Sequence, residues 1–166
     1  YLLWGDSCAV MARIWVTNGT PTMPGILNPV TAACDRGYVP DEVWVLSNPG
    51  VAEYVAEATN RFGVIVDAYG GDATVSVHDL DDETDFPGII KFYRSTIEAA
   101  RENGDTIAVD VTPGRKFMSA IAFQAGFKFD ADHVYYFHRK AGGYYGQFYA
   151  EIPRTATDLI DFKEVL

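Results

Sequence analysis

The chain has 166 residues, within the roughly 100–200 expected of one domain, so one compact fold is expected and two full domains are disfavoured. With 48% apolar and 14% aromatic residues it has ample material for a core and no compositional mark of disorder. A formal charge of −10, from 23 acidic against 13 basic side chains, argues against the broad electrostatic grip of a duplex nucleic-acid binder. Any anionic ligand must therefore be held locally. Asp outnumbers Glu 15 to 8 and Arg outnumbers Lys 8 to 5, a balance found in salt-adapted cytoplasmic proteins and also in surfaces kept acidic for solubility.

Two cysteines, Cys8 and Cys34, exclude a disulfide framework and a four-cysteine zinc site. A reducing, cytoplasmic setting is the simpler inference. The uncharged stretch 14–34 contains Asn18, Gly19, Pro21, Pro24, Asn28 and Pro29 and reads as strand, loop and helix start rather than a membrane span. No secretory signal is visible. Residues 1–11 read as a tag or upstream extension, 12–153 as the domain, and 154–166 as a short C-terminal segment.

Residues 12–17 (A-R-I-W-V-T) form a buried strand that stops at Asn18-Gly19. A helix is expected over 24–36, closed by Gly37, then a strand over 42–47 broken at Asn48-Pro49-Gly50. Val51, Val55, Ala58 and Phe62 recur at helical spacing, and Gly63 is expected to end that helix. Of the runs 64–67 and 73–80, one should be a strand. The acidic run 79–85 precedes a helix, where carboxylates favour the positive dipole end, so it reads as capping rather than as a metal loop. Ile89, Ile90, Tyr93, Ile97 and Ala100 make one stripe of that helix, which ends at Asn103-Gly104.

Residues 106–111 (T-I-A-V-D-V) are the most deeply buried strand by composition. The helix that follows, 115–125, is apolar nearly all round and needs cover on a second side, for which a subunit interface is the natural candidate. Residues 133–139 and 144–152, around Ala141-Gly142-Gly143, signal a hairpin. The fold class expected is α/β: a Rossmann-like, mostly parallel sheet flanked by helices, with a C-terminal antiparallel β-hairpin.

In such sheets ligands collect beyond the carboxyl ends of the strands, where strand order reverses. Two loops qualify: Asn18, Gly19, Thr20, Pro21 and Thr22 after the first strand, and Thr112, Pro113, Gly114, Arg115 and Lys116 after the late buried one. Hydroxyls, amides freed by glycine and a helix N-terminus make an anion site, to which Arg115 and Lys116 add positive charge. The same residues also serve ordinary turns and a solvated surface. Neither loop matches G-x-G-x-x-G or the P-loop, which disfavours a nicotinamide or nucleoside-triphosphate enzyme.

The run Val109-Asp110-Val111-Thr112-Pro113-Gly114-Arg115-Lys116-Phe117-Met118-Ser119-Ala120 resembles the Asp-x-Thr-Gly-Gly-x-Lys-x-Met-Ser signature of CARF domains, the CRISPR-associated Rossmann-fold sensors of cyclic oligoadenylates. Asn18-Gly19-Thr20-Pro21 is similar to that family's Gly-Thr-Ser-Pro loop, and the element order fits from about residue 12 to 152. Pro113 replaces the first glycine and removes a backbone donor; Pro21 stands where many members carry serine.

The resemblance implies a homodimer whose paired loops form one pocket for a cyclic oligoadenylate, most often of four units, in type III CRISPR antiviral signalling. Asn18, Gly19, Thr20, Pro21, Thr22, Asp110, Thr112, Pro113, Gly114, Arg115 and Lys116 are the implied ligand-binding residues, with Tyr144 as a lid. An effector domain outside this chain is the implied partner, and no cofactor or metal is expected. Some family members cleave the ring without metal, the ribose 2′-hydroxyl attacking the adjacent phosphate; here Lys116 and Arg115 would stabilise the developing charge. His78, His133 and His138 lie in neither loop and read as structural, His138 being nearest the hairpin. Three readings stand: a binding sensor first, a standalone ring nuclease second, and a small-molecule α/β enzyme with an unrelated substrate third.

Overall fold

The computed structural model describes residues 11–166; of the segment 1–11 read as tag or extension, residues 1–10, Cys8 among them, lie outside the described residues. The first strand, β1 (Arg13–Asn18), leads into α1 (Met23–Asp35), then β2 (Glu42–Ser47), α2 (Ala52–Ala68), β3 (Thr74–Asp79), α3 (Phe86–Asn103), β4 (Thr106–Asp110), α4 (Lys116–Lys128), β5 (His133–Arg139), β6 (Thr157–Asp161) and the short α5 (Phe162–Val165). One six-stranded sheet in the order β3-β2-β1-β4-β5-β6 carries them. Five strands are parallel, and β6 runs antiparallel to β5 with Tyr136 opposite Ile160.

The central strands are apolar on both sides because both faces are covered. Trp15, Val43 and Val45 point to one face and pack with Ile26, Val30, Val55, Phe62 and Val66 of α1 and α2. Ile14, Val16, Leu46, Ile107 and Val109 point to the other and pack with Ile89, Tyr93, Ile97, Met118 and Ala122 of α3 and α4. Cys34 is buried among α1 contacts, and burial pushes its thiol up to about 12, so it is a packing residue rather than a nucleophile. Among the described residues no helix is long and apolar enough to cross a membrane.

Two sequence expectations are corrected. Gly63 does not end α2, which runs on to Ala68: Val66 is fully buried while Val64 is 71% exposed, so the run 64–67 continues the helical stripe begun by Phe62. The strand of the two candidate runs is therefore β3. The second error is the hairpin's return strand. Residues 144–152 form turns of 3-10 helix at Gly142–Tyr144 and Tyr149–Glu151, because Asn28 of α1 captures this backbone. Its Nδ2 donates to the Gln147 carbonyl (2.9 Å) and its Oδ1 accepts from the Tyr149 amide (2.8 Å). The antiparallel partner of β5 is instead β6, inside the segment 154–166 that the sequence reading sets apart. Asp161 fixes its register by accepting from the Val134 amide (3.1 Å) and bonding His133 Nδ1 (2.7 Å).

Candidate functional site

Strand order reverses between β1 and β4, since β1 leads leftward to β2 and β3 while β4 leads rightward to β5. The loops leaving these two strands meet there. Thr17, the penultimate residue of β1, donates its hydroxyl to Asp110 Oδ2 at 2.8 Å, and Asp110 Oδ1 accepts the Thr112 amide at 2.9 Å. Asp110 thus clamps the start of the second loop to the end of the first strand. Its carboxyl is 0% exposed, and burial pushes its pKa up to about 7 against the pull of the hydrogen bonds from Thr112 and Thr17.

Glycine permits the close approach of the loops. A Cβ on Gly19 would lie 2.5 Å from Val55 Cγ2 and 2.8 Å from Val51 Cγ2, while the Gly19 amide donates to the Leu46 carbonyl at 2.8 Å. Gly114 has φ +98°, and a Cβ there would meet Asn18 Cβ at 3.3 Å. Beside this contact the Asn18 amide is 1% exposed, yet neither its Oδ1 nor its Nδ2 makes a hydrogen bond of good geometry within the described residues. The Tyr93 hydroxyl is the group this amide faces, without good hydrogen-bond geometry between the two, and the Ser47 hydroxyl is unpartnered. Burying such groups without partners is costly, so the carboxyl edge of the sheet holds unsatisfied hydrogen-bonding capacity beneath the loops.

A cavity of about 290 Å³ opens over this edge, lined by Gly19, Thr20, Pro21, Gly114 and Arg115 from the two expected loops. Asn48, Gly50, Val51, Glu83 and Met118 complete its wall and were not singled out as site residues; the break at Asn48-Pro49-Gly50 after a strand is the signal that marks the first two. Glu83 accepts from Arg115 Nε at 2.9 Å, so a carboxylate occupies the guanidinium that the sequence offers to an anion. Thr22 and Thr112 line a second cavity instead, of about 350 Å³, beside the end of β5. Pro113 is buried. Lys116 opens α4 as an exposed residue and lines neither cavity, and Tyr144 lines neither, whereas its neighbour Tyr145 lines the second.

The histidines divide. His133 is held by Asp161 and stacks on Tyr135, a structural role. His78 stacks on Phe92 away from both loops. His138 lines the second cavity. Among the described residues no group of three or more His, Cys, Asp or Glu side chains is placed to hold a metal ion, the acidic run 79–85 included. Within that run Asp85 accepts from the Gly88 amide at 3.0 Å, the capping role expected of it.

The family described as CRISPR-associated protein NE0113 matches residues 38–151. This chain belongs to that family. The fold agrees with the CARF resemblance read from the two loops. Csm6 of Enterococcus italicus, solved bound to cyclic hexa-2′-fluoro-hexa-dAMP, superposes with a TM-score of 0.64 at 14% identity, over 93% of this chain and 42% of that one. A type III CRISPR defence DNA nuclease activated by cyclic oligoadenylate gives 0.57 at 16% identity, over 76% of this chain and 19% of the nuclease. Protein VC1899 from Vibrio cholerae gives 0.56 at 12%, over 75% and 30%. The chain spans less than half the length of each of these proteins. No curated protein sequence matches it.

Proposed function

We propose that this CARF domain binds a cyclic oligoadenylate, with four adenylates as the favoured ring, in the pocket that two copies of the chain form around a two-fold axis. The carrying observation is the meeting of the 18–22 and 112–115 loops at the switch point, over a buried Asn18 amide that only the Tyr93 hydroxyl faces and that makes no hydrogen bond of good geometry. Repeated identical phosphates suit backbone amides, the α4 N-terminus and Arg115 and Lys116, and a ring of identical units suits a two-fold site. That two of the solved neighbours are described with cyclic oligoadenylates supports the ligand class.

The second copy has a place to dock. Phe86 and Ile90 of α3 are 46% and 45% exposed, and they continue into half-buried Phe117 and Ile121 of α4, with Phe86 and Phe117 edge to face at 5.1 Å. This strip ends at the turn that carries Arg115 and Lys116, so pairing through it sets two sites side by side. Signal would pass to an effector domain or partner beyond this chain.

A second reading, a ring nuclease, is favoured by one observation: His138 lines the cavity that Thr22 and Thr112 of the two loops border. Attack by a ribose 2′-hydroxyl on its neighbouring phosphate, stabilised by Arg115 and Lys116, would leave a 2′,3′-cyclic phosphate end. The test is calorimetry and light scattering with cyclic tetra-adenylate and cyclic hexa-adenylate, followed by chromatography of the nucleotide with and without chelator. Stoichiometric binding of one ring per dimer supports the reading, and chelator-insensitive linear product selects the nuclease over the sensor. A monomer that binds neither ring would overturn it.

A further inference from the structure

Of the eight arginines in this acidic chain, Arg36, Arg61, Arg94, Arg101, Arg115 and Arg154 each pair with a carboxylate. Arg13 has no carboxylate partner either and donates to the Gly37 carbonyl at 3.3 Å; Arg139, at the carboxyl end of β5, has no such partner among the described residues, and its guanidinium carbon lies 4.7 Å from the ring centroid of Tyr145. Both residues line the cavity of about 350 Å³. That volume falls within the roughly 300–1,000 Å³ typical of small-molecule sites. No Asp or Glu lines it, although the 290 Å³ cavity over the loops holds Glu83, and the larger groove beside α3 holds Glu42, Asp79, Asp81, Asp85 and Asp105. In a chain of charge −10, a carboxylate-free cavity holding an unpaired guanidinium is electrostatically fitted to an anion.

The aromatic component narrows the ligand. Tyr145 is 72% exposed, so its ring contributes little to the core, and the unpaired arginine beside it adds a planar cation that can also stack. Thr22 brings a hydroxyl that makes no capping bond to α1, and Gly25 of the first turn of α1 faces the same space. Thr112 belongs to the second loop of the site already described, and its hydroxyl accepts the Phe137 amide at 2.8 Å, tying that loop to β5. The cavity therefore borders both loops of the switch point, at Thr22 and Thr112.

We infer that this cavity is a nucleotide subsite: Tyr145 is a stacking platform for an aromatic base, and Arg139 holds the adjoining phosphodiester. The inference rests on the cyclic oligoadenylate reading and deepens it. Each protomer then offers two compartments, one lined by Thr20 and Pro21 and the other by Thr22, and a two-fold dimer offers four. The test compares wild type, Arg139→Gln, Tyr145→Ala and Tyr145→Phe by calorimetry with cyclic tetra-adenylate, folding being checked by circular dichroism and melting. Arg139→Gln and Tyr145→Ala should each weaken binding about tenfold or more, while Tyr145→Phe, which keeps the ring, should stay within about threefold of wild type. Folded Arg139→Gln and Tyr145→Ala variants that bind like wild type would overturn the subsite and leave the ligand reading intact. A wild type that fails to bind the ring at all overturns the ligand reading itself, and the subsite with it.

Discussion

Replacing Asp110 by Asn tests the electrostatic foundation of the site. The carboxyl is buried and carries a pKa raised from 3.8 to about 7. A raised carboxyl pKa means that the folded state resists ionisation, so the stabilising contribution is complete below about pH 4, falls as the pH rises, and is gone above about pH 7. With about 1.4 kcal/mol per pKa unit, the shift corresponds to roughly 4 kcal/mol of lost stability across that window. An Asn at the same place keeps both contacts: its oxygen accepts the Thr112 amide and its amide donates to Thr17 Oγ1, the hydroxyl turning from donor to acceptor. Urea unfolding at pH steps from 4 to 8 should show the wild type losing roughly 4 kcal/mol relative to Asp110→Asn across the window. Asp82, Asp130 and Asp158, whose pKa values are held low by hydrogen bonds to Thr84, Lys163 and Arg36 respectively, act in the opposite sense at acid pH; they are common to both proteins and cancel in the difference. Parallel stability curves from pH 4 to 8 would refute the reasoning, because they would mean that Asp110 ionises in the fold as readily as in the unfolded chain. Ionisation of this group also places a negative charge under the loops, so ring binding should weaken above pH 7 in the wild type and not in the variant.

Lys116→Ala should weaken cyclic oligoadenylate binding by roughly 1.5–3 kcal/mol per site in calorimetry, the scale of a lost charge-assisted contact; unchanged affinity in a folded variant would remove Lys116 from the site. Glu83→Gln should tighten the same ligand a few-fold, since it frees Arg115 from an ion pair worth only about 0–1 kcal/mol at this exposure, and weaker binding would show that Glu83 positions Arg115 rather than competing for it. Gly19→Ala should lower stability by about 1–3 kcal/mol in thermal unfolding, because its Cβ would press on Val51 and Val55; a neutral result would mean that the β1 loop relaxes freely.

The parts of the site readable in the sequence are those fixed by local chemistry. The apolar run of β1 and that of β4 stand out because both faces of each strand are covered, and the loops stand out because Gly19 and Gly114 satisfy steric demands made within a few residues. The misread hairpin shows the limit. Residues 144–152 carry the aromatic content of a strand, but their backbone bonds go to Asn28, 119 and 121 positions earlier in the chain, and nothing in the local pattern announces an asparagine with that reach. Glu83, 32 positions from Arg115, is hidden for the same reason: the acidic run reads as solvated, and only the crossing of α3 over the sheet brings it to the guanidinium.

The charge arrangement follows from that same long-range placement. Counted along the chain, Arg115 and Lys116 are the natural anion ligands and Arg139 is one basic residue among thirteen. Folding changes the order. Arg115 is compensated by Glu83, Lys116 projects from the helix outside both cavities, and Arg139 is left facing a cavity without a carboxylate. A ligand that engages both compartments meets a guanidinium already paired with Glu83 through Nε on one side and an uncompensated cation on the other. Entry of a phosphodiester should therefore begin at Arg139 and finish at Arg115. On that order Arg139→Gln should slow association in stopped-flow mixing, whereas Glu83→Gln should act on the later, tightening step; equal association rates for wild type and Arg139→Gln at low salt would show that the ring enters from the loop side instead.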